Sequence, residues 1–199
     1  HQGRWQRIAG APGVPFAPRS MITDDQGRIG VHWNDRVLSR LDGLTRLSFP
    51  IPFGEYAPDD ISLNRDVPDT LLVGGEFGLS RFDGTGFRTV TARRLPLFSG
   101  VNGTVRTATG DTWLASPAGV LRVRSADLDR AFAEPAWIPP TQIFDAADGL
   151  RSRPHSHSRN AIVQGGDGRL WIATQTGTLW LDPTDVKRSM TPPKVAVGA

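Results

Sequence analysis

The chain has 199 residues, 38% of them hydrophobic, with six Trp, 22 Gly, 16 Pro and no Cys. That is enough apolar material for one sizeable core. The missing Cys excludes disulfides and thiolate metal sites, and no apolar run reaches the roughly 18 residues of a membrane-spanning helix. The net charge is +3 and the isoelectric point about 10.1, but the basic residues are nearly all Arg, spread evenly along the chain, without the basic stripe of a nucleic-acid binder.

The first residue is His1 and no charged-then-apolar leader follows, so a secretory signal is expected upstream or not at all. Gly3-Arg4-Trp5-Gln6-Arg7-Ile8 reads as an isolated strand within residues 1–9. Beyond it, one pattern recurs at a fixed register. Arg28-Ile29-Gly30-Val31, Thr70-Leu71-Leu72-Val73, Asp111-Thr112-Trp113-Leu114 and Arg169-Leu170-Trp171-Ile172 occupy equivalent places. Each anchor (Gly30, Leu72, Trp113, Trp171) is followed at the same offset by a turn position, occupied by Arg36, Gly78, Gly119 and Gly177. A short apolar run then ends at Asp42, Asp83, Arg124 or Asp182.

In the second repeat a further strand is expected at Phe87-Arg88-Thr89-Val90. The third repeat carries an insertion from Ser125 to Phe132, where Ser125 or Asp127 could cap a short helix, before a strand at Thr141-Gln142-Ile143-Phe144. The last repeat reads as a strand at Ala161–Gln164, a tight turn at Gly165-Gly166-Asp167-Gly168, and strands over 170–174 and 178–181.

A period of about 40–45 residues holding several short strands is the signature of β-propeller blades. The expected fold is all-β: a partial β-propeller over residues 1–190, with an orphan strand at 1–9 and about four four-stranded blades near 18–49, 60–90, 102–145 and 159–183. Closed propellers have about 4–8 blades, and the expected parent has seven or more. Residues 191–199 are expected to start a β-sandwich domain or a linker.

Asp167-Gly168-Arg169-Leu170-Trp171-Ile172-Ala173-Thr174 with Gly177 and Leu181-Asp182-Pro183 resembles the two-component regulator propeller repeat. The stretch from Gly75 to Gly84 is similar to the same repeat, and Phe144-Asp145-Ala146-Ala147-Asp148-Gly149-Leu150 resembles the phrase before its last blade. Thr191-Pro192-Pro193-Lys194-Val195-Ala196-Val197 resembles the start of the triple-tyrosine domain that follows such propellers. The resemblance implies a periplasmic sensor region of a membrane histidine kinase, which binds a ligand and performs no catalysis itself. It implies a small-molecule or glycan ligand, contact with the membrane only through downstream parts of the parent, and room for a homodimer.

Other motifs stand beside it. His155 and His157 have the spacing of a two-imidazole metal site on an extended strand, but no Cys exists and no carboxylate stands at ligand spacing, so neither metal nor cofactor is expected. Asp25-Gln26-Gly27-Arg28 resembles half of the structural Asp-box of sialidase-type propellers. Carboxylates fall mainly in turns, where Asp serves turn geometry. A propeller enzyme, lyase or glycosidase-like, and an interaction scaffold are the alternative readings.

The candidate ligand residues come from aligning the repeats. Arg19, Asn102 and Asn160 stand at one offset before their anchors, at the start of the innermost strand beside the central channel. The neighbouring turns and loops add Trp33, Arg36, His157 and Arg159, a set suited to an anionic or sugar-like ligand.

Overall fold

The structure is a computed structural model that describes residues 17–33, 36–43, 45–56 and 61–186. Blade one contains β1 (Pro18–Thr23), β2 (Ile29–Trp33), β3 (Val37–Asp42) and β4 (Thr45–Pro50). Blade two contains β5 (Ser62–Arg65), β6 (Leu71–Gly75), β7 (Gly78–Phe82) and β8 (Phe87–Thr91). Blade three contains β9 (Gly103–Arg106), β10 (Asp111–Ser116) and β11 (Gly119–Arg124), then helix α1 (Ser125–Ala133) and β12 (Thr141–Phe144). Blade four shows β13 (Ile162–Gln164), β14 (Leu170–Thr174) and β15 (Gly177–Leu181).

Each sheet is an antiparallel meander in chain order, and the first strands β1, β5, β9 and β13 lie side by side in succession. This is the inner wall of a propeller arc. The predicted strand at Gly3–Ile8 and the predicted domain start at 191–199 lie outside the described residues.

Two turn chemistries set the register. At the head of the third strands, Gly78 and Gly119 have φ of +121° and +150°. A Cβ on Gly78 would sit 2.3 Å from the Val90 carbonyl oxygen, and one on Gly119 would sit 2.5 Å from that of Phe144. Only glycine allows both the positive φ and this approach of the neighbouring strand. At the foot of the third strands, Asp83 Oδ1 accepts from Thr85 N (3.0 Å), Thr85 Oγ1 (2.7 Å) and Gly86 N (3.0 Å). Asp182 Oδ1 repeats this with Thr184 N (2.9 Å) and Oγ1 (2.6 Å). In the first blade Asp24, not Asp25, organises the hairpin: its Oδ1 accepts from Gln26 N (3.0 Å) and Arg28 N (2.8 Å).

Side-chain alternation along each strand divides the core into three clusters, one between each pair of blades. Leu71, Val73 and Phe82 pack toward Leu38 of blade one, while Leu72 and Leu79 face Leu114 and Leu121 of blade three. Trp113 and Val120 then face Ile162, Leu170 and Ile172 of blade four. The four anchors therefore share one direction, toward the following blade. Gly30 is small because Leu71 fills the space: a Cβ there would lie 3.1 Å from Leu71 Cδ1. Trp113 is 0% exposed and stacks on Phe144 at 5.5 Å. Trp171 occupies the same column but is 38% exposed, in a cross-strand row with Val163 and Trp180. Its face of blade four has no described blade against it.

Helix α1 docks by Leu128 and Phe132 into the cluster between blades two and three. Its N-cap is Arg124, without a side-chain cap. Ser125 does not cap, because its buried hydroxyl lies 2.9 Å from that of Thr112. The helix supplies Asp129 to an ion network that joins two blades. Asp66, whose side chain is fully buried, contacts Arg81 Nε at 2.6 Å and Arg106 Nε at 2.8 Å. Asp129 contacts Arg81 Nη2 at 2.5 Å and Arg106 Nη2 at 2.7 Å. The Arg81 guanidinium also lies over the Phe132 ring at 4.5 Å.

Candidate functional site

The arc has two ends. The upper end gathers the turns between second and third strands and the long connections that lead from one blade to the next. The lower end gathers the hairpins after the first and third strands. Each upper connection is fastened to an upper turn by main-chain hydrogen bonds. Ala92 N donates to Phe77 O (2.8 Å) and Gly100 N to Gly75 O (2.9 Å). His155 N donates to Ala173 O (3.0 Å) and Gln175 N to Arg153 O (3.1 Å), with Pro154 bridged to Thr174. The Asp145–Asp148 capping box starts that last connection. Loops held this way form a platform rather than free chain.

The predicted residues distribute over this end as follows. Arg159 Nη1 donates to the carbonyl of Arg19 at 2.5 Å, joining blade four to the start of β1 across the upper end. Asn102 is 1% exposed; its Nδ2 donates to His155 O at 2.5 Å, so it fastens the loop instead of facing solvent. Asn160 is exposed beside Arg159. His157 is exposed, with its ring centroid 6.1 Å from that of His155 and its N–H donating to His155 Nδ1 at 3.3 Å. Arg36 donates to Gly54 O (2.9 Å) and Tyr56 O (3.2 Å), which fixes the connection after blade one. Trp33 donates from Nε1 to Ser39 Oγ at 3.0 Å and lies under the Arg46 guanidinium at 5.0 Å. Arg19, Arg159, His157 and Asn160 thus belong to one surface, whereas Asn102, Arg36 and Trp33 hold the scaffold around it.

The arginine–carboxylate pairs gather at the lower end, although the exposed Arg88 and Arg124 there have no carboxylate partner among the described residues. The arginine–carboxylate pairs of the described residues, among them Arg28 with Asp24, Arg81 and Arg106 with Asp66, Arg122 with Asp111 and Arg169 with Asp167, all lie at the lower end. At the upper end Arg93, Arg94, Arg151 and Arg153 are exposed and have no carboxylate partner among the described residues. Glu55, Glu76 and Asp148 are exposed carboxylates there. Column alignment misses Arg151 and Arg153, because they stand in a connection and not at a repeat position. A cleft of about 450 Å³ opens elsewhere, at the lower side of blade three, where Arg122 Nη2 holds Asp111 Oδ2 at 2.6 Å.

The sequence matches no protein-family model and no curated protein. In structure the chain is similar to several propellers. Virginiamycin B lyase from Staphylococcus aureus superposes with a TM-score of 0.53 at 12% identity, over 81% of this chain and 54% of the lyase. The extracellular domain of BT4673 from B. thetaiotaomicron, described as a one-component system, gives 0.55 at 16% identity, over 84% of this chain and 23% of that one. That of BT3049 from the same organism, described as a hybrid two-component system, gives 0.53 at 14%, over 83% and 23%. The chain thus spans about half the length of the first of these and under a quarter of the other two. At such identities the similarity establishes the propeller fold.

Proposed function

We propose that this chain is an extracytoplasmic ligand-sensing propeller segment of a bacterial two-component sensor, whose parent carries the kinase. The observation that carries the reading is the upper platform, where connections from different blades converge and Arg159 of blade four reaches Arg19 of blade one. A ligand seated there would touch several blades at once and bias their arrangement, which is what a sensor requires. The extracellular one-component and hybrid two-component domains that share the fold support the same reading and an extracytoplasmic place. The segment binds and does not catalyse.

The test is a thermal-shift screen of the chain against small molecules and oligosaccharides, with recovery of each hit. A native-state ligand at a hundred times its Kd stabilises by about 2.7 kcal/mol. Unchanged recovery of the hit, with loss of the shift in Arg159→Ala, is the expected result. Chemical conversion of the hit would overturn the reading. The lyase fold neighbour names one compound to include in the screen, virginiamycin B.

A further inference from the structure

Arg40, Arg81 and Arg122 form a column on the third strands, each paired across the ladder with its anchor, Gly30, Leu72 or Trp113. In blades one and two the far end of the guanidinium is taken by the next blade. Arg40 Nη1 donates to Gly84 O at 3.1 Å. Arg81 meets Asp66 through Nε, and through Nη2 it meets Asp129, the carboxylate that α1 brings from blade three. Arg106 beside it shows both edges filled. Its Nε donates to Asp66 Oδ1 at 2.8 Å, while Nη1 and Nη2 reach the two oxygens of Asp129 at 3.3 and 2.7 Å.

Arg122 starts in the same way. Its Nε (2.9 Å) and Nη2 (2.6 Å) both donate to Oδ2 of the buried Asp111, and the guanidinium lies over the buried Trp113 ring at 5.5 Å. Its orientation is thus fixed, which removes an ordering cost that a freely rotating arginine carries into binding. Nη1, however, has no hydrogen-bond partner among the described residues, and Arg122 lines the cleft of about 450 Å³ at the lower side of blade three. From this we infer that the cleft binds a small carboxylate, whose two oxygens take Nη1 and Nη2 of Arg122 as those of Asp129 take Arg106. A guanidinium fork matches a carboxylate in two parallel hydrogen bonds. Three other lining groups define the rest of the ligand. Arg124 is exposed and adds positive charge, and Gln142, the partner of Arg122 on β12, offers an amide. Asp127, half-buried in the first turn of α1, has no hydrogen-bond or ion-pair partner among the described residues. It calls for a hydroxyl or ammonium donor on the same molecule and repels a second negative charge. The volume suits a monosaccharide acid or a dipeptide. The insertion after β11 supplies Asp127, so the site belongs to blade three and lies apart from the upper platform.

The experiment is isothermal titration of the 199-residue chain with D-glucuronate, its neutral methyl ester, alanyl-alanine and inorganic sulfate. Four variants, each verified as folded by its thermal midpoint, are titrated in parallel. Arg122→Lys keeps a charge beside Asp111 but has no fork, and Asp127→Ala removes the acceptor. Arg124→Ser removes an exposed charge of the cleft, and Arg88→Ser removes one at an exposed position outside it. The expected result is binding of one of the two acids, with at least about tenfold loss in Arg122→Lys. About threefold loss or more is expected in Asp127→Ala and in Arg124→Ser, and less than about twofold in Arg88→Ser. Binding of glucuronate marks a saccharide source and binding of alanyl-alanine a peptide source, and either supports the site. Absence of heat with both acids overturns the inference. A methyl ester that binds as tightly as its acid removes the role of the fork and overturns it too. Sulfate binding as tightly as the acids, or a loss in Arg88→Ser as large as in Arg124→Ser, also overturns it, since each reveals general attraction to a basic chain. If Arg122→Lys does not fold, the losses in Asp127→Ala and Arg124→Ser against Arg88→Ser decide alone.

Discussion

Arg159 and Arg19, 140 residues apart in the chain, meet at the upper end of the arc, where the Arg159 guanidinium donates to the Arg19 carbonyl at 2.5 Å. The contact spans from the first described blade to the last. A side chain in a connecting loop can reach the far inner strand only because the arc curves, so the distance reports the arc's closure as well as a local bond. Arg159→Ala is expected to cost about 1–2 kcal/mol, the scale of a hydrogen bond from a charged donor, and to weaken any upper-end ligand. Urea unfolding read together with titration checks it. A weakened ligand with unchanged stability would show that the bridge does not hold the arc.

The Asp66 network makes a larger prediction. Asp66→Asn leaves Arg81 and Arg106 facing each other around a neutral amide in a buried place, and removal of one partner from a buried ion pair costs about 3–5 kcal/mol. Replacing Asp66 by Leu together with Arg106 by Met should recover part of that loss, because the apolar pair has no charge to desolvate. Denaturant midpoints of the single and double variants measure it, and a double variant no better than Asp66→Asn would argue against desolvation as the cause.

Acid should loosen the same joint. Burial pushes the Asp129 carboxyl up, but the hydrogen bonds and charges of Arg106 and Arg81 together outweigh it and hold its pKa below the usual value. At Asp83 the Thr85 hydroxyl, then the Thr85 and Gly86 amides, act in the same direction. A depressed folded-state pKa contributes stability that is fully present above the unfolded value near 3.8 and is lost as pH falls through the folded value. Stability is thus expected to fall below about pH 4, and Asp129→Asn should flatten that slope. Thermal midpoints between about pH 2.5 and 6 give the comparison.

Two glycines of the same repeat column should respond differently to alanine. Gly78→Ala meets the Val90 carbonyl at 2.3 Å and a φ of +121°, and is expected to cost more than about 2 kcal/mol. Gly177 has a φ of +157° and nothing within 4 Å of the place a Cβ would take, so Gly177→Ala meets the conformational strain alone and should cost about 1–2 kcal/mol, less than Gly78→Ala. Equal costs would mean that conformation, and not the approach of β8, sets the demand for glycine.

The anchor tryptophans test the direction of the blades. Trp113→Ala empties a fully buried site and should cost about 3–5 kcal/mol. Trp171→Ala removes a ring that is 38% exposed in this chain and should cost about 1 kcal/mol or less. Urea midpoints compare the two. A large cost at Trp171 would show that another surface covers it in solution.

Sequence spacing was enough to find the blades, because propeller blades repeat one strand–turn pattern and glycine at Gly78 and Gly119 has a steric reason that no other residue satisfies. It was also enough to mark Arg19, Arg159, Asn160 and His157 as belonging to one end. The column containing Asn102 misled, since an amide at the start of a strand can turn inward to fasten a neighbouring loop, and only its 1% exposure shows that it does. Arg151 and Arg153 were missed because a repeat alignment discards what lies between its columns.

What the sequence determined by itself is the local part: where strands begin and end, which turns need Gly or Asp, and that the units recur. These follow from backbone sterics and side-chain alternation over a few residues. What only the tertiary structure decided is which arginines are paired, with Asp66 and Asp129 from different blades clamping Arg81 and Arg106 while Arg88, Arg124, Arg151 and Arg153 lack carboxylate partners among the described residues. Arginines in both groups look alike along the chain. Their difference lies in which residues the curvature of the arc brings within about 4 Å, and Coulomb energy depends on that distance and on burial, not on sequence order.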